Sequence, residues 1–326
     1  MRAARTLTLD STVIVDVPDP ACGADEVVCR VIASATCGSD VHGWFVSRKL
    51  PAVLGHEPVG EVVEVGAGVT RVALGDVVAI HHHAACGCCR VCASGHETLC
   101  AQFRATRLDP GGFAEYVRIE PALVGELLPL DGLDPLAATC TEPLACALRA
   151  QDRVGLTPRD TLLVLGAGTS GLLHIAAARA RGSERVLVAE QRADRRERAV
   201  AWGAEPFDGG DAVDVSIVTS HDARAVAAAA AALGPGGRLC AYAPPEPGTP
   251  LAVDGAEIFL RELTLTSSWS AGAADMRAAL TLLQSGAVRG GELITHRFGL
   301  EATAAALAAQ RDGSALKAVV LPWGEP

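Results

Sequence analysis

The stretch Thr161-Leu-Leu-Val-Leu-Gly-Ala-Gly-Thr-Ser-Gly171 decides how the second half of the chain folds. Its apolar residues run without alternation into glycine, as suits a strand buried on both faces of a parallel sheet. Gly166-Ala167-Gly168-Thr169-Ser170-Gly171 then reads G-x-G-x-x-G, ahead of a helix expected over 172–181. Between a strand and a helix, such glycines permit a tight turn and let the backbone approach a pyrophosphate at the helix N-terminus. Working outward, a helix is expected over 136–154, and strands at 185–189, 213–218 and 238–242 alternate with helices at 193–202 and 224–233. That alternation is the pattern of a doubly wound α/β domain. Glu190 closes the next strand, where a carboxylate accepts the ribose hydroxyls and repels a 2′-phosphate, so NAD is expected over NADP. Arg192 follows closely and is the side chain that would tolerate a phosphate.

The region before this is different in kind. Residues 13–124 are rich in Val, Ile, Gly and Pro, with short alternating runs at 27–32 and 59–66, and another strand is expected at 113–117 after Gly111-Gly112. Such runs argue for a strand-rich, barrel-like domain. The last segment, 298–326, offers a helix and a final strand starting at Lys317, and is expected to return to the first domain. The organisation expected is a β-rich domain over 1–150, a dinucleotide-binding domain over 151–290 and a returning segment over 291–326.

Composition narrows the possibilities. A length of 326 residues suits two domains. Lys plus Arg number 28 against 38 Asp plus Glu, a net charge of −10 that argues against binding nucleic acid or anionic membrane. With 49% hydrophobic residues and a mean hydropathy of +0.27, the chain can bury a large core. The alanine-rich tract at 225–233 is too short to span a bilayer. The first residues lack the apolar block of a signal peptide, so a cytoplasmic location is expected. In that reducing compartment 11 cysteines point to metal rather than disulfides.

Cys86, Cys89, Cys92 and Cys100 follow C-x2-C-x2-C-x7-C. Two-residue gaps let thiolates of a tight loop converge on one ion, and four of them close a tetrahedral structural zinc site. Cys88 lies inside the pattern, but the spacing prefers Cys89. The acidic charge and the lack of a further cysteine pair count against a zinc ribbon that binds nucleic acid. The neighbouring His81-His82-His83 reads as a strand end with solvated imidazoles, and His96 as facing solvent. Cys22, Cys29, Cys140, Cys146 and Cys240 read as small buried residues.

A second constellation, Cys37-Gly38-Ser39-Asp40-Val41-His42 with Gly55-His56-Glu57, joins soft thiolate and imidazole, which select zinc. A carboxylate from Glu57, or from Glu142 in Thr141-Glu-Pro-Leu144, could complete a site still open to substrate. These blocks, the four cysteines, Gly-Gly-Phe-Ala-Glu-Tyr, Glu-Pro-Leu-Ala and Gly-Ala-Gly-x-x-Gly occur in this order over essentially the whole chain. Together they resemble the zinc-dependent medium-chain alcohol dehydrogenases, in the branch of sorbitol and threonine dehydrogenases.

The resemblance implies a GroES-like catalytic domain, a Rossmann coenzyme domain and an active site between them. It implies that Cys37 and His56 hold a catalytic zinc and that Asp40 orients His56. The third ligand departs from the two-cysteine, one-histidine set of alcohol dehydrogenase: Glu57 or Glu142 takes that role, and the choice stays open. Thr219 and Ala241, after later strands, are placed along the cofactor, and Ser268 beside the nicotinamide. Two zinc ions per chain, NAD, a small alcohol or ketone substrate and a homodimer or homotetramer are the implied partners.

The expected reaction is reversible hydride transfer between a secondary alcohol (a polyol, sugar, cyclitol or amino alcohol) and nicotinamide. Zinc acts as Lewis acid, and Ser39 and His42 relay the proton. The alternatives are an NADPH-dependent carbonyl reductase and a non-catalytic nucleotide-binding relative. Intact Cys37, Ser39, His42, His56, Glu57 and Glu142 argue against the latter. Trp44, Phe45, Arg104 and Trp269 are expected to shape the substrate pocket.

Overall fold

The computed structural model describes residues 1–210 and 212–324 and divides into two compact units: Met1–Glu142 with Gly272–Pro326, and Pro143–Ala271. The expected boundaries at 150 and 290 therefore move to 142 and 271. The later one moves because the helix Ala273–Gln284 packs on the first unit: Gln284 donates to the Leu130 carbonyl at 3.1 Å. A Cβ on Gly290 would likewise press on Ala137 and Cys140. The last two residues of the expected returning segment lie outside the described residues.

The second unit is the expected doubly wound sheet. Six parallel strands run in the order Glu205–Pro206, Arg185–Ala189, Thr161–Leu165, Val213–Val218, Leu233–Ala241, Thr264–Ser267. The order reverses between Thr161–Leu165 and Val213–Val218, the switch point beside which such sheets bind ligands. Leu163, Leu187, Val218, Val226, Ala229 and Leu239 form the buried cluster on one side.

The first unit is built on a seven-stranded sheet in which Val27–Ala35 pairs antiparallel with Glu57–Val65, with Tyr116–Ile119 and with Lys317–Leu321. A three-stranded sheet formed by Ser11–Asp16, Arg2–Thr8 and Ala52–Val53 accompanies it. Val27, Val31, Val62, Val78, Ile80 and Ile119 fill one core. Phe113, Leu300, Leu307 and Val320 belong to another. The closing helix Thr303–Asp312 and strand Lys317–Leu321 belong to this unit.

Two local expectations are corrected. The single helix over 136–154 is two, Pro135–Ala138 and Thr141–Arg153. Pro143 has no N–H for the carbonyl four residues back, so it is tolerated only in a first turn, and the helix must restart just before it. The hydroxyls of Thr139 and Thr141 take the carbonyls of Leu136 and Ala138, both at 2.7 Å. The strand expected at 113–117 is Tyr116–Ile119. Among the described residues no helix is long and apolar enough to cross a membrane.

Candidate functional site

Antiparallel register brings the Cys37 and His56 blocks together. Ala35 pairs with Glu57, so Cys37, just past the end of one strand, faces His56, just before the start of the other. One ligand atom each from Cys37, His56 and Glu57 lies within 4.8 Å of the others. Asp40 Oδ2 accepts the Cys37 backbone N–H at 3.0 Å, and its Oδ1 lies 3.2 Å from His56 Nδ1. With Nδ1 committed to a carboxylate, Nε2 is the nitrogen left for a ligand. Ser39 Oγ stands 3.4 Å from that Nε2. His42 is half-buried with its ring 5.8 Å from Trp44, and Phe45 is 5.5 Å from Trp44 in turn.

The charges in this cluster are tightly held. Burial opposes charge on His56, yet Asp40 and Cys37 outweigh it and hold the imidazole well above its ordinary value. Asp40, although buried, is held below the usual carboxylate range by His56 and the Cys37 N–H. Glu57 is 1% exposed, and burial pushes its carboxyl up to about 7 against the pull of Lys317 and His56. Lys317, 2% exposed, forms an ion pair with Glu57 and donates to the Thr36 carbonyl at 3.1 Å. Glu142 is buried too and its charge reaches Glu57, but it stands outside the Cys37–His56–Glu57 group.

Sequence reasoning missed Lys317. A lone lysine opening the apolar run Lys-Ala-Val-Val-Leu was the available signal, because a strand buried along its whole length admits such a residue only with a partner.

The four-cysteine loop also converges. The sulfur atoms of Cys86, Cys89, Cys92 and Cys100 lie within 4.8 Å of one another. Backbone N–H groups of Cys88 and Cys89 pull the Cys86 thiol down to about 6. Cys88 itself is exposed and outside the group, and His96 Nδ1 pairs with the Ser94 carbonyl at 2.8 Å.

The preceding histidines correct an expectation: they are not solvated. His81 is 1% exposed, and His82 and His83 are partly buried. The burial comes from distant partners: His81 Nδ1 meets Glu126 at 3.3 Å, His83 Nδ1 meets the Thr106 carbonyl at 2.6 Å, and both rings pack on Phe103. Burial pushes His82 well below its ordinary value and His83 down to about 4.

In the second unit the glycine loop is shaped as its motif requires. Gly166 has φ +102°, and a Cβ on Gly171 would collide with the Gly166 carbonyl; both positions need glycine. Gly168 caps the helix Thr169–Ala180, whose first turn holds Thr169, Ser170 and Gly171. Glu190 ties the loop from below: its oxygens accept the Ala167 N–H at 2.7 Å and the Arg192 N–H at 2.9 Å. Arg192 also pairs with Asp194 at 2.8 Å. Arg195 Nη1 lies 3.7 Å from where a Gly168 side chain would begin. Thr219 Oγ1 donates to the Leu165 and Gly166 carbonyls, and Ala241 ends the adjacent strand. Ser268 Oγ is buried without a hydrogen-bond partner among the described residues, and Trp269 is exposed.

Residues 23–129 match the alcohol dehydrogenase GroES-like domain family. The chain is 38% identical over 249 residues to the L-threonine 3-dehydrogenase of Pyrococcus abyssi, 69% of this chain and 70% of that protein. It is 30% identical to the sorbitol dehydrogenase of Bacillus subtilis, over 99% of this chain and 97% of that one. Among solved structures, a protein from Sinorhizobium meliloti 1021, assigned as a zinc-binding dehydrogenase and bound to NADP, matches with a TM-score of 0.88. It is 28% identical, covering 98% of this chain and 99% of that chain.

Proposed function

Because this chain belongs to the zinc-dependent medium-chain alcohol dehydrogenases, in the branch of threonine and sorbitol dehydrogenases, we propose that it oxidises a secondary alcohol with NAD. The substrate class is a polyol, sugar, cyclitol or amino alcohol. The observation that carries the reading is the convergence of Cys37, His56 and Glu57 at paired strand ends, with the Ser39 hydroxyl beside them. Thiolate, imidazole and carboxylate are a donor set that fits a catalytic zinc, with Glu142 as a nearby acid rather than a ligand. The four sulfur atoms of the cysteine loop fit a second, structural zinc.

Bound zinc supplies Lewis acidity toward the alcohol oxygen, and bound nicotinamide supplies the hydride acceptor. The chain's own residues do the rest. Asp40 fixes the ring direction and tautomer of His56. Ser39 takes the alcohol proton, and His42 carries it onward, a task suited to an imidazole because its two ring nitrogens can accept and donate a proton. Gly166, Gly168 and Gly171 admit the pyrophosphate at the helix N-terminus, with Thr169 and Ser170 in its first turn, Thr219 and Ala241 along the cofactor and Ser268 at the nicotinamide. Glu190 reads the ribose, and Arg192 is already engaged by Asp194, which supports NAD. The NADP-bound relative and Arg195 beside Gly168 favour, as a second reading, an NADPH-dependent carbonyl reductase.

Eleven free cysteines support a cytoplasmic location. Phe259, 81% exposed, and Leu260, 74% exposed, shortly before the edge strand Thr264–Ser267, support a homodimer or homotetramer. The test is NADH formation from a panel of secondary alcohols and polyols by wild type and Cys37→Ala. Turnover of at least one class by wild type, abolished in Cys37→Ala, is expected. Equal activity in the two proteins would refute the site.

A further inference from the structure

The four-cysteine loop carries a fifth thiol. Residues 86–89 read Cys-Gly-Cys-Cys, so Cys88 stands two residues from one member of the sulfur cluster and next to another. Among the described residues it is the one exposed cysteine, whereas Cys86 and Cys89 are half-buried and Cys100 is buried. Its thiol donates a hydrogen bond to the Cys86 sulfur, and Gly87 between them bends the chain with φ +70°. Even in an extended chain, residues two apart hold their Cα atoms within about 7 Å of each other. A left-handed bend shortens that into the span of a disulfide.

Cys88 is not needed to hold an ion, because four sulfurs already fill a tetrahedral zinc site. An exposed thiol that touches a second, oxidisable sulfur is instead the arrangement of a redox sensor with its resolving cysteine. In the reducing compartment proposed for this chain such a disulfide is transient, as a regulatory one must be. We propose that Cys88 is an oxidative modification site, at which a hydroperoxide drives formation of a Cys86–Cys88 disulfide and so opens the four-sulfur zinc site. This rests on the reading of Cys86, Cys89, Cys92 and Cys100 as zinc ligands.

The chemistry balances in two steps. The Cys88 sulfur attacks a peroxide oxygen: the O–O bond breaks, an S–O bond forms, and the other oxygen takes the thiol proton and leaves as an alcohol, or as water from hydrogen peroxide. The Cys86 sulfur then attacks the sulfenic acid on Cys88. An S–S bond forms, the S–O bond breaks, and the released hydroxide takes a proton from solvent to become water. Two electrons pass from the two sulfurs to the peroxide. A sulfur tied in a disulfide no longer carries the charge that binds zinc, so three thiolates remain where four closed the site. A dithiol reductant restores both thiols by exchange.

The test treats zinc-loaded wild type, Cys88→Ser and Cys88→Ala with hydrogen peroxide in the absence of added thiols. Zinc release is followed with a chromogenic chelator, and disulfides are mapped by differential alkylation and tandem mass spectrometry. Wild type is expected to release zinc as the Cys86–Cys88 disulfide appears, and to take it up again after dithiothreitol and added zinc. Both variants should hold as much zinc as wild type before treatment and lose it from the cysteine loop about tenfold more slowly. Any loss from the Cys37 site is common to the three proteins and cancels in the comparison. Equal release in wild type and both variants, a disulfide that leaves out Cys86 or Cys88, or release with no disulfide formed would each overturn the assignment. Zinc content in untreated wild type no higher than in Cys92→Ala refutes the four-cysteine zinc reading by itself, and the mapped disulfide still decides whether Cys88 pairs with Cys86.

Discussion

His174 should make the coenzyme unit acid-labile, and replacing it should remove that weakness. The residue lies in the helix Thr169–Ala180, fully buried, with neither ring nitrogen finding a hydrogen-bond partner among the described residues and its ring 4.7 Å edge-on to Tyr242. Burial pushes its imidazole from 6.5 down to about 3. Between those values the unfolded chain binds a proton that the folded chain refuses. Stability is therefore intact above 6.5 and is lost as the pH falls toward 3. Each pKa unit corresponds to about 1.4 kcal/mol, so the full shift represents nearly 5 kcal/mol, of which about 2 kcal/mol is gone by roughly pH 5.

His174→Phe keeps the edge-on ring contact and removes both stranded nitrogens, and any overpacking it causes does not vary with pH. Urea denaturation of wild type and variant at about pH 7.5 and about pH 5 measures the effect. The variant should gain about 2 kcal/mol on wild type between the two conditions. Comparing the two proteins cancels contributions from other groups, including any acid release of zinc. A stability difference that is the same at both pH values would refute the reasoning.

Three further outcomes are expected. Lys317→Met strands the buried Glu57 carboxylate, so chemical denaturation should report a loss of about 3–5 kcal/mol, much of it recovered in Lys317→Met/Glu57→Gln; a simple sum of the two single effects would show that the pair is not coupled. Cys92→Ala opens the four-cysteine site and should lower the thermal midpoint and the zinc content together, whereas full retention of both would remove the site's structural role. Glu190→Ala removes the ribose acceptor and should shift the ratio of NAD to NADP affinity toward NADP by about tenfold or more, as read by fluorescence titration; an unchanged ratio would mean that Glu190 only braces the glycine loop.

Much of the fold could be read where the signal is local. The runs at Arg185–Ala189 and Val213–Val218 are strands with the expected bounds, because a continuous apolar stretch between polar turns leaves few alternatives. The glycine loop was equally plain, since strand, turn and helix each carry their own signature. What escaped depends on remote partners. The helix Ala273–Gln284 looks the same whichever unit it packs on, and its allegiance is set by contacts such as Gln284 with Leu130. The three histidines look solvated until Thr106, Glu126 and Phe103 close over them. Lys317 looks misplaced until the register sets it beside Thr36 and Glu57. Of the candidate site, the blocks holding Cys37 and His56 were visible in order along the chain. Which glutamate joins them was not, because Glu57 and Glu142 differ only in where strand pairing and a helix start carry them.

The most direct measurement is zinc content per chain in wild type and Cys37→Ala, paired with NAD-dependent turnover. The account predicts two zinc ions in wild type, one in Cys37→Ala with the four-cysteine site still filled, and activity lost along with the missing ion. Two zinc ions in Cys37→Ala, or full turnover with only one, would contradict it.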